Sequence, residues 1–227
     1  MKPRVSIFVT CLVDQIFPNA GIAMVDVLQR AGCEVEFREG QTCCGQPAFN
    51  SGYVDEAREV ERYFLKIFEG AEYIVVPSGS CAAMIAHHFT EPDTRVWEFS
   101  QFLVHFLKIE DLGAQLDRVV TYHDSCHALR ELRIKDAPRR LLANVRGLKL
   151  VEMDPPEECC GFGGTFAVKF PDISGAMART KIEAIERTGA QTVVSIDSSC
   201  LMQIQGALSR AGSKIGTMHL AEVLASR

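Results

Sequence analysis

The sequence predicts an α/β protein built from two similar units related by a pseudo-twofold axis, each a small parallel sheet with flanking helices. Two observations predict this class. Short apolar runs typical of buried strands alternate with amphipathic helical patterns, an alternation typical of parallel sheets. The cysteines and the residues around them also occur as a repeat, with matching positions 115 to 119 residues apart. This internal repeat predicts a first unit at 1–112 and a second at 113–227.

The first unit contains three apolar runs with the length and β-branched content of buried strands. These strands are predicted at 5–10, 34–38 and 73–76. The segments between them place apolar residues three or four positions apart, which is helical periodicity. The helices are predicted at 19–30 and 54–68, and a further helix is expected directly after Cys81.

The second unit repeats this order of elements. Its strands are predicted at 118–122, 148–153 and 192–196, and its helices at 139–145 and 172–187. An apolar segment at 98–108 is predicted to be a helix that joins the units, followed by a linker at 111–116. Because consecutive strands are separated by helices, both sheets are expected to be parallel.

Composition narrows the function classes. The 227 residues include 24 basic and 29 acidic side chains, for a net charge of −5, which argues against a nucleic-acid partner because such proteins need a basic surface. The apolar stretch at 5–9 is too short for a secretory signal, and no run of about twenty apolar residues predicts a transmembrane segment. We therefore expect a cytoplasmic protein.

Nine cysteines are the unusual feature of the composition. Eight of them form two sets of four with nearly equal spacing, in which one cysteine is followed by a vicinal pair and then by a fourth. The first set is Cys11, Cys43, Cys44 and Cys81; the second is Cys126, Cys159, Cys160 and Cys200. Cys33 is left over and is expected to lie in the core, where free cysteines are common.

All eight cysteines of the two sets follow predicted strands. Residues directly after parallel strands lie along one edge of the sheet, where open α/β folds bind their ligands. We therefore expect each set to converge on its own pocket. Four thiolates near helix N-termini form a site for a soft metal or a cluster. Vicinal cysteines are unusual for structural zinc and favour an iron–sulfur cluster, while zinc and dithiol chemistry remain alternatives.

At these residues the sequence resembles the cysteine-rich CCG-domain family, and most of all the lactate utilization protein A family within it. The strings that carry the resemblance are TCCGQPAFNSG, YHDSCHALREL and ECCGFGGTFAVK. Other relatives of this kind are the CCG-containing subunit of heterodisulfide reductase and the glycolate oxidase iron-sulfur subunit. The resemblance implies an iron–sulfur electron-transfer subunit of a three-component bacterial system that oxidises L-lactate to pyruvate. It also implies that the eight cysteines bind one or two clusters, of the 4Fe-4S type, and that the other subunits are its partners.

The chain departs from the family pattern at one position in each unit. Where the pattern has the first cysteine of C-x-x-C, this sequence has Ser78 and Asp197. Four cysteines suffice for a cubane cluster but not for the five-cysteine cluster of heterodisulfide reductases. Ser78 and Asp197 are expected either to donate an oxygen ligand or to cap the helices that follow.

His123 and His127 flank Cys126 and are candidates for tuning a cluster, or for a base that acts on a small 2-hydroxy acid. The remaining histidines are assigned to structure: His87, His88, His105 and His219. Three basic residues are weaker candidates for steering a carboxylate substrate: Arg130, Arg133 and Lys169. Two other functions stay open from the residues, namely a thiol/disulfide oxidoreductase and a zinc-stabilised interaction module, and glycolate remains a possible substrate beside lactate.

Overall fold

Two four-stranded sheets, with all their strands parallel, form the two halves of the chain in the computed structural model, which describes residues 2–227. The first sheet has the order β2-β1-β3-β4 and the second the order β6-β5-β7-β8. The strands are β1 (Arg4–Ile7), β2 (Glu34–Phe37), β3 (Tyr73–Val76), β4 (Val96–Glu98), β5 (Gln115–Tyr122), β6 (Arg146–Leu150), β7 (Thr192–Ser195) and β8 (Gly216–His219). The predicted fold class, two similar α/β units, is confirmed.

Helices connect the strands and cover both sheets. In the first half they are α1 (Cys11–Ile16), α2 (Pro18–Arg30), α3 (Gln46–Asn50), α4 (Val54–Ile67), α5 (Gly79–His88) and α6 (Phe99–Gln101), the last continuing into a π-helical turn at Phe102–Phe106. In the second half they are α7 (Cys126–Arg130), α8 (Asp136–Ala143), α9 (Thr165–Lys169), α10 (Pro171–Arg187), α11 (Ser198–Arg210) and α12 (Leu220–Ala225). Within residues 2–227, none of these helices combines the length and the apolar character needed to cross a bilayer.

The six predicted strands are all present, with ends that move by a few residues, but the last strand of each sheet was not predicted. The helix predicted at 98–108 is wrong at its start, because Glu98 ends β4 and the helical backbone begins at Phe99. Strand β4 has three residues and pairs with β3, Val75 lying opposite Trp97. A strand this short has no periodicity of its own, so only its pairing separates it from the first turn of an apolar helix.

One apolar cluster spans both halves of the chain. It includes Val5 of β1, Val120 of β5 and Leu224 of α12, all fully buried or nearly so. Helix α12, at the end of the chain, packs against α2 of the first half. The Arg30 guanidinium on α2 donates to the carbonyl of Leu224 at 2.6 Å. The halves therefore share a core, and their division at 112/113 stays a prediction.

The carboxyl edges of the two sheets meet directly beside this shared core. Ser78, after β3, and Asp197, after β7, form an isolated antiparallel bridge. Helix α5 also packs closely on α7, since a Cβ atom on Gly79 would lie 2.6 Å from that of Ala128. A glycine at position 79 therefore permits the contact that brings the two edges together.

Candidate metal centres

All eight cysteines of the two sets line one cavity between the two sheet edges. The sequence predicted a separate pocket for each set, and the structure differs, because the two edges face each other and leave a common space. Polar groups from both halves complete the lining, among them Gln46 of the first half and Ser125 of the second. The Gln46 amide donates to the Ser80 carbonyl at 3.2 Å and fixes the loop that carries the first vicinal pair.

Within the first set the sulfur atoms lie in two close pairs. The Sγ atoms of Cys11 and Cys43 are 3.7 Å apart, and those of Cys44 and Cys81 are 3.2 Å apart. Cys44 and Cys81 are buried, whereas Cys11 and Cys43 are half-buried. The three residues of CCG thus direct one sulfur toward α1 and the other toward α5.

The second set has the same arrangement. Cys126 and Cys159 are half-buried, and Cys160 and Cys200 are buried. The Sγ atoms of Cys160 and Cys200 lie within 4.8 Å of each other. All nine cysteines in residues 2–227 are free, so each set presents four thiols to the cavity.

Helix N-termini position the four cysteines outside the vicinal pairs. Helices α1 and α7 begin at Cys11 and Cys126, and Cys81 and Cys200 lie in the first turns of α5 and α11. The unpaired N–H groups and positive dipole of a helix N-terminus favour sulfur in its anionic form. The helix starts therefore favour metal-binding thiolates at these positions.

Ser78 and Asp197 cap the helices that carry Cys81 and Cys200. The Ser78 hydroxyl accepts from the Cys81 amide at 3.3 Å, and the Asp197 carboxylate accepts from the Ser199 amide at 3.2 Å. Asp197 also accepts from the Ser80 amide of the other half at 2.8 Å. Because these oxygens already have protein partners, the geometry favours capping over ligation.

The glycine after each vicinal pair has a left-handed conformation, with φ of 87° at Gly45 and 84° at Gly161. A Cβ atom on Gly161 would lie 2.7 Å from the Ser174 carbonyl oxygen on α10. The Gly161 amide also donates to the sulfur of Cys159 at 3.4 Å. The glycine is thus explained by backbone geometry and close approach to a helix.

The pKa values of the thiols differ widely within each set. The Cys11 thiol donates to Cys43, which holds the pKa of Cys43 well below its usual range and raises the pKa of Cys11. Cys126 and Cys159 behave in the same way, with the pKa of Cys159 lowered. Four neighbouring thiolates repel one another unless a cation compensates their charge. The donor set therefore fits a thiophilic metal ion or an iron–sulfur cluster.

His123 lies beside the second set and His127 at its rim. The His123 side chain is almost completely buried, and its ring lies within 4.8 Å of the sulfurs of Cys160 and Cys200. The His127 Nδ1 atom is 3.6 Å from the Cys126 sulfur, and its Nε2 is 3.7 Å from the Glu131 carboxylate. Both candidate histidines are thus close to the second set of cysteines.

The histidines assigned to structure and the three weaker basic candidates lie outside the cavity lining described for residues 2–227. His219 caps α12, and its Nε2 donates to the Pro77 carbonyl at 3.1 Å. His88 is 3.3 Å from Glu131. The remaining side chains of this group are exposed: His87, His105, Arg130, Arg133 and Lys169. Cys33 is buried in the shared apolar cluster, as expected.

Sequence reasoning missed several buried charged groups, among them Asp124, Lys181 and Glu98. Arg139 pairs with Asp124 at 2.8 Å and fixes the turn between β5 and α7. Lys181 on α10 is fully buried behind the second vicinal pair. Glu98 caps α6 and accepts from the Ser100 amide at 2.9 Å. The polar string YHDSCH after a buried strand is a sequence signal for Asp124 alone. Glu98 and Lys181 have no such signal, because isolated charges on predicted helices are normally exposed.

Glu98 is expected to make stability depend on pH. Burial raises its pKa from 4.5 to about 7, so the folded protein binds a proton that the unfolded chain releases. This contribution is fully present below pH 4.5 and is lost as pH rises through 7. We expect the free energy of unfolding to fall by about 3 kcal/mol over that range relative to Glu98→Gln. Urea unfolding of the chelator-treated protein measures it, with Glu39→Gln as an exposed control; parallel curves for wild type and Glu98→Gln would contradict the assignment.

Comparison with known proteins agrees with this geometry. The cysteine-rich CCG domain matches residues 5–86 and 120–205, once in each half. Lactate utilization protein A of Geobacillus sp. (strain WCH70) is 48% identical over 99% of this chain and 100% of its own length. The protein of the same name from Bacillus licheniformis is 46% identical over the same shares.

Among solved structures, a hypothetical protein from Helicobacter pylori has the same fold, with a TM-score of 0.65 at 11% identity. The match covers 97% of this chain and 48% of that one, so the chain spans about half the length of that structure. The two matched domains agree with the two similar halves of the structure. The chain belongs to the cysteine-rich CCG domain family and, within it, to the lactate utilization protein A family.

Proposed function

We propose that this chain is the iron–sulfur electron-transfer component of a bacterial system that oxidises L-lactate to pyruvate. The observation that carries the proposal is the pair of four-cysteine sets on one cavity. Full-length relatives named for lactate utilization support the metabolic role. The proposed cluster ligands are the eight cysteines of the two sets, four for each site.

The thiol geometry supports cluster binding in preference to a single ion. Each set draws two sulfurs from adjacent residues, and these sulfurs face different partners, Cys43 toward Cys11 and Cys44 toward Cys81. Adjacent thiolates that diverge in this way suit separate irons. An iron–sulfur cluster, when bound, supplies one-electron storage. The protein supplies four thiolates, capped helix starts and burial of the inner pair.

Lactate oxidation releases two electrons and two protons, so a one-electron carrier needs a partner that takes both electrons from the substrate. The glycines at 161–164, which could suggest a nucleotide-binding loop, instead form the turn after the second vicinal pair. We therefore place substrate oxidation on another subunit or at a shared interface. The half-buried cysteines of each set are the more accessible ones, and an electron can enter there from such a partner: Cys11, Cys43, Cys126 and Cys159.

The proposal predicts about eight irons and a similar amount of acid-labile sulfide per chain after anaerobic purification. A tag on this chain should also recover its partners from the native host. Adding L-lactate to that complex should generate the paramagnetic resonance signal of a reduced cluster, and D-lactate serves as the control. Zinc without sulfide would instead indicate an interaction module, and a metal-free, redox-active dithiol would indicate a thiol oxidoreductase. Reduction by glycolate but not by L-lactate would reassign the substrate.

A further inference from the structure

The two cysteine sets differ at one position that faces the buried pair of sulfurs. Phe8 and His123 occupy equivalent places, each three residues before the first cysteine of its set. The Phe8 amide donates to the carbonyl of Val75 at 3.0 Å, and the His123 amide donates to that of Val194 at 2.8 Å. The same backbone position thus has an apolar ring in the first half and an imidazole in the second.

The surroundings of Phe8 are apolar. Its ring packs edge-on against Phe64 at 5.0 Å between centroids and against Phe68 at 5.7 Å. These rings belong to the same buried cluster as Cys44 and Cys81. The inner sulfurs of the first set therefore have hydrocarbon neighbours on this side.

His123 has a different environment. Its side chain is 1% exposed, and neither ring nitrogen has a hydrogen-bond partner among residues 2–227. Burial of an imidazole without a partner costs free energy, so buried rings of this kind are nearly always satisfied. The ring does have two sulfurs close by, those of Cys160 and Cys200, within 4.8 Å. The unsatisfied ring therefore lies beside the two buried sulfurs of the second set.

A second replacement follows the first. The glycine after each vicinal pair lies close to the next long helix: Gly45 approaches Ala57 on α4, and Gly161 approaches Ser174 on α10. Ala57 and Ser174 therefore mark equivalent positions on α4 and α10. Seven residues after Ala57 comes Phe64, whose ring packs against that of Phe8. Seven residues after Ser174 comes Lys181. The Lys181 Nζ atom donates to the Met153 sulfur at 3.3 Å. Two contacting phenylalanines in the first half are thus replaced by two nitrogen-bearing side chains in the second.

We propose that His123 donates an N–H hydrogen bond to sulfur of the metal group held by the second cysteine set, and thereby raises the reduction potential of that site alone. The inference rests on the proposed iron–sulfur function. Four thiolates already complete a donor set, so the imidazole acts as a further partner and not as a replacement ligand. A hydrogen bond to sulfur stabilises the more negative, reduced state. Phe8 offers no such bond to the first site.

The test is a potentiometric titration followed by electron paramagnetic resonance on the anaerobic, full-length protein. In a Cys44→Ala background, which keeps the second site, His123→Phe should move the midpoint potential to a more negative value. In a Cys160→Ala background, which keeps the first site, the same change should leave the potential unmoved. His123→Gln retains an N–H donor and should recover part of the shift. His105→Phe, at an exposed position, is the matched control.

Several outcomes would overturn the role of His123. An unchanged potential in the Cys44→Ala background, or an equal shift in both backgrounds, contradicts a site-specific hydrogen bond. A strong hyperfine coupling to ¹⁵N-labelled histidine would make His123 a direct ligand instead. If His123→Phe loses the iron of the second site, the potential of His123→Gln decides: a value more negative than that of wild type supports the proposal, and an equal or more positive value contradicts it. Lack of iron in the wild type would contradict the proposed function itself, a result distinct from these.

Discussion

Replacing Cys44 with alanine is expected to halve the iron and sulfide content, from about eight to about four of each per chain. Cys44 is 2% exposed, and its sulfur is 3.2 Å from that of Cys81, so its removal leaves three sulfurs in the first set. A three-thiolate set would leave one iron of a cubane without a protein ligand. The second set has its own four sulfurs and should keep its irons.

The matched variants make this expectation specific. Cys160→Ala should also halve the iron, and the double variant should lose nearly all of it. Cys33→Ala is the control, because Cys33 is also buried but lies in the shared apolar cluster away from both sets. Iron and sulfide analysis together with the resonance spectra of the singles reports which site remains. Complete loss of iron in either single variant would show that the two sets together bind one group.

The sequence carries enough information to predict each unit but not the way the units meet. Cysteines recur after strands, and the parallel topology of each sheet then brings Cys11 near Cys43 and Cys126 near Cys159. That both edges share one cavity depends on contacts distant in sequence, such as Arg30 with Leu224 and Gly79 with Ala128. Local periodicity contains no signal for such contacts.

Individual roles at the site were predictable to different degrees. The two capping positions follow from a serine or aspartate directly before a helix, a local signal. The unsatisfied ring of His123 does not follow from the sequence, because burial and hydrogen-bond partners are properties of the packed chain. Glu98 was predicted within a helix and proved to be its cap, since the β4 pairing that fixes its position is tertiary.

Gly161→Ala is expected to destabilise the protein by about 2–4 kcal/mol and to deplete the metal of the second site. Two costs add. An alanine in the left-handed conformation, here at φ 84°, costs roughly 1–2 kcal/mol. The new Cβ atom would also lie 2.7 Å from the Ser174 carbonyl oxygen, so α10 or the cysteine loop has to move. Because the Gly161 amide donates to Cys159, movement of the loop displaces the vicinal pair.

Gly189→Ala separates these two costs. Gly189 also has a positive φ, 67°, but nothing lies within 4 Å of the position of its Cβ atom. We expect this control to lose about 1 kcal/mol and to keep its full iron content. In Gly45→Ala the new Cβ atom would lie 3.4 Å from the Ala57 carbonyl oxygen, an ordinary contact distance. This variant should therefore behave more like Gly189→Ala than like Gly161→Ala. Urea unfolding and iron analysis measure both effects. Equal losses for Gly161→Ala and Gly189→Ala would mean that close packing of the loop on α10 is not needed, and that the glycine after the vicinal pair serves only the turn.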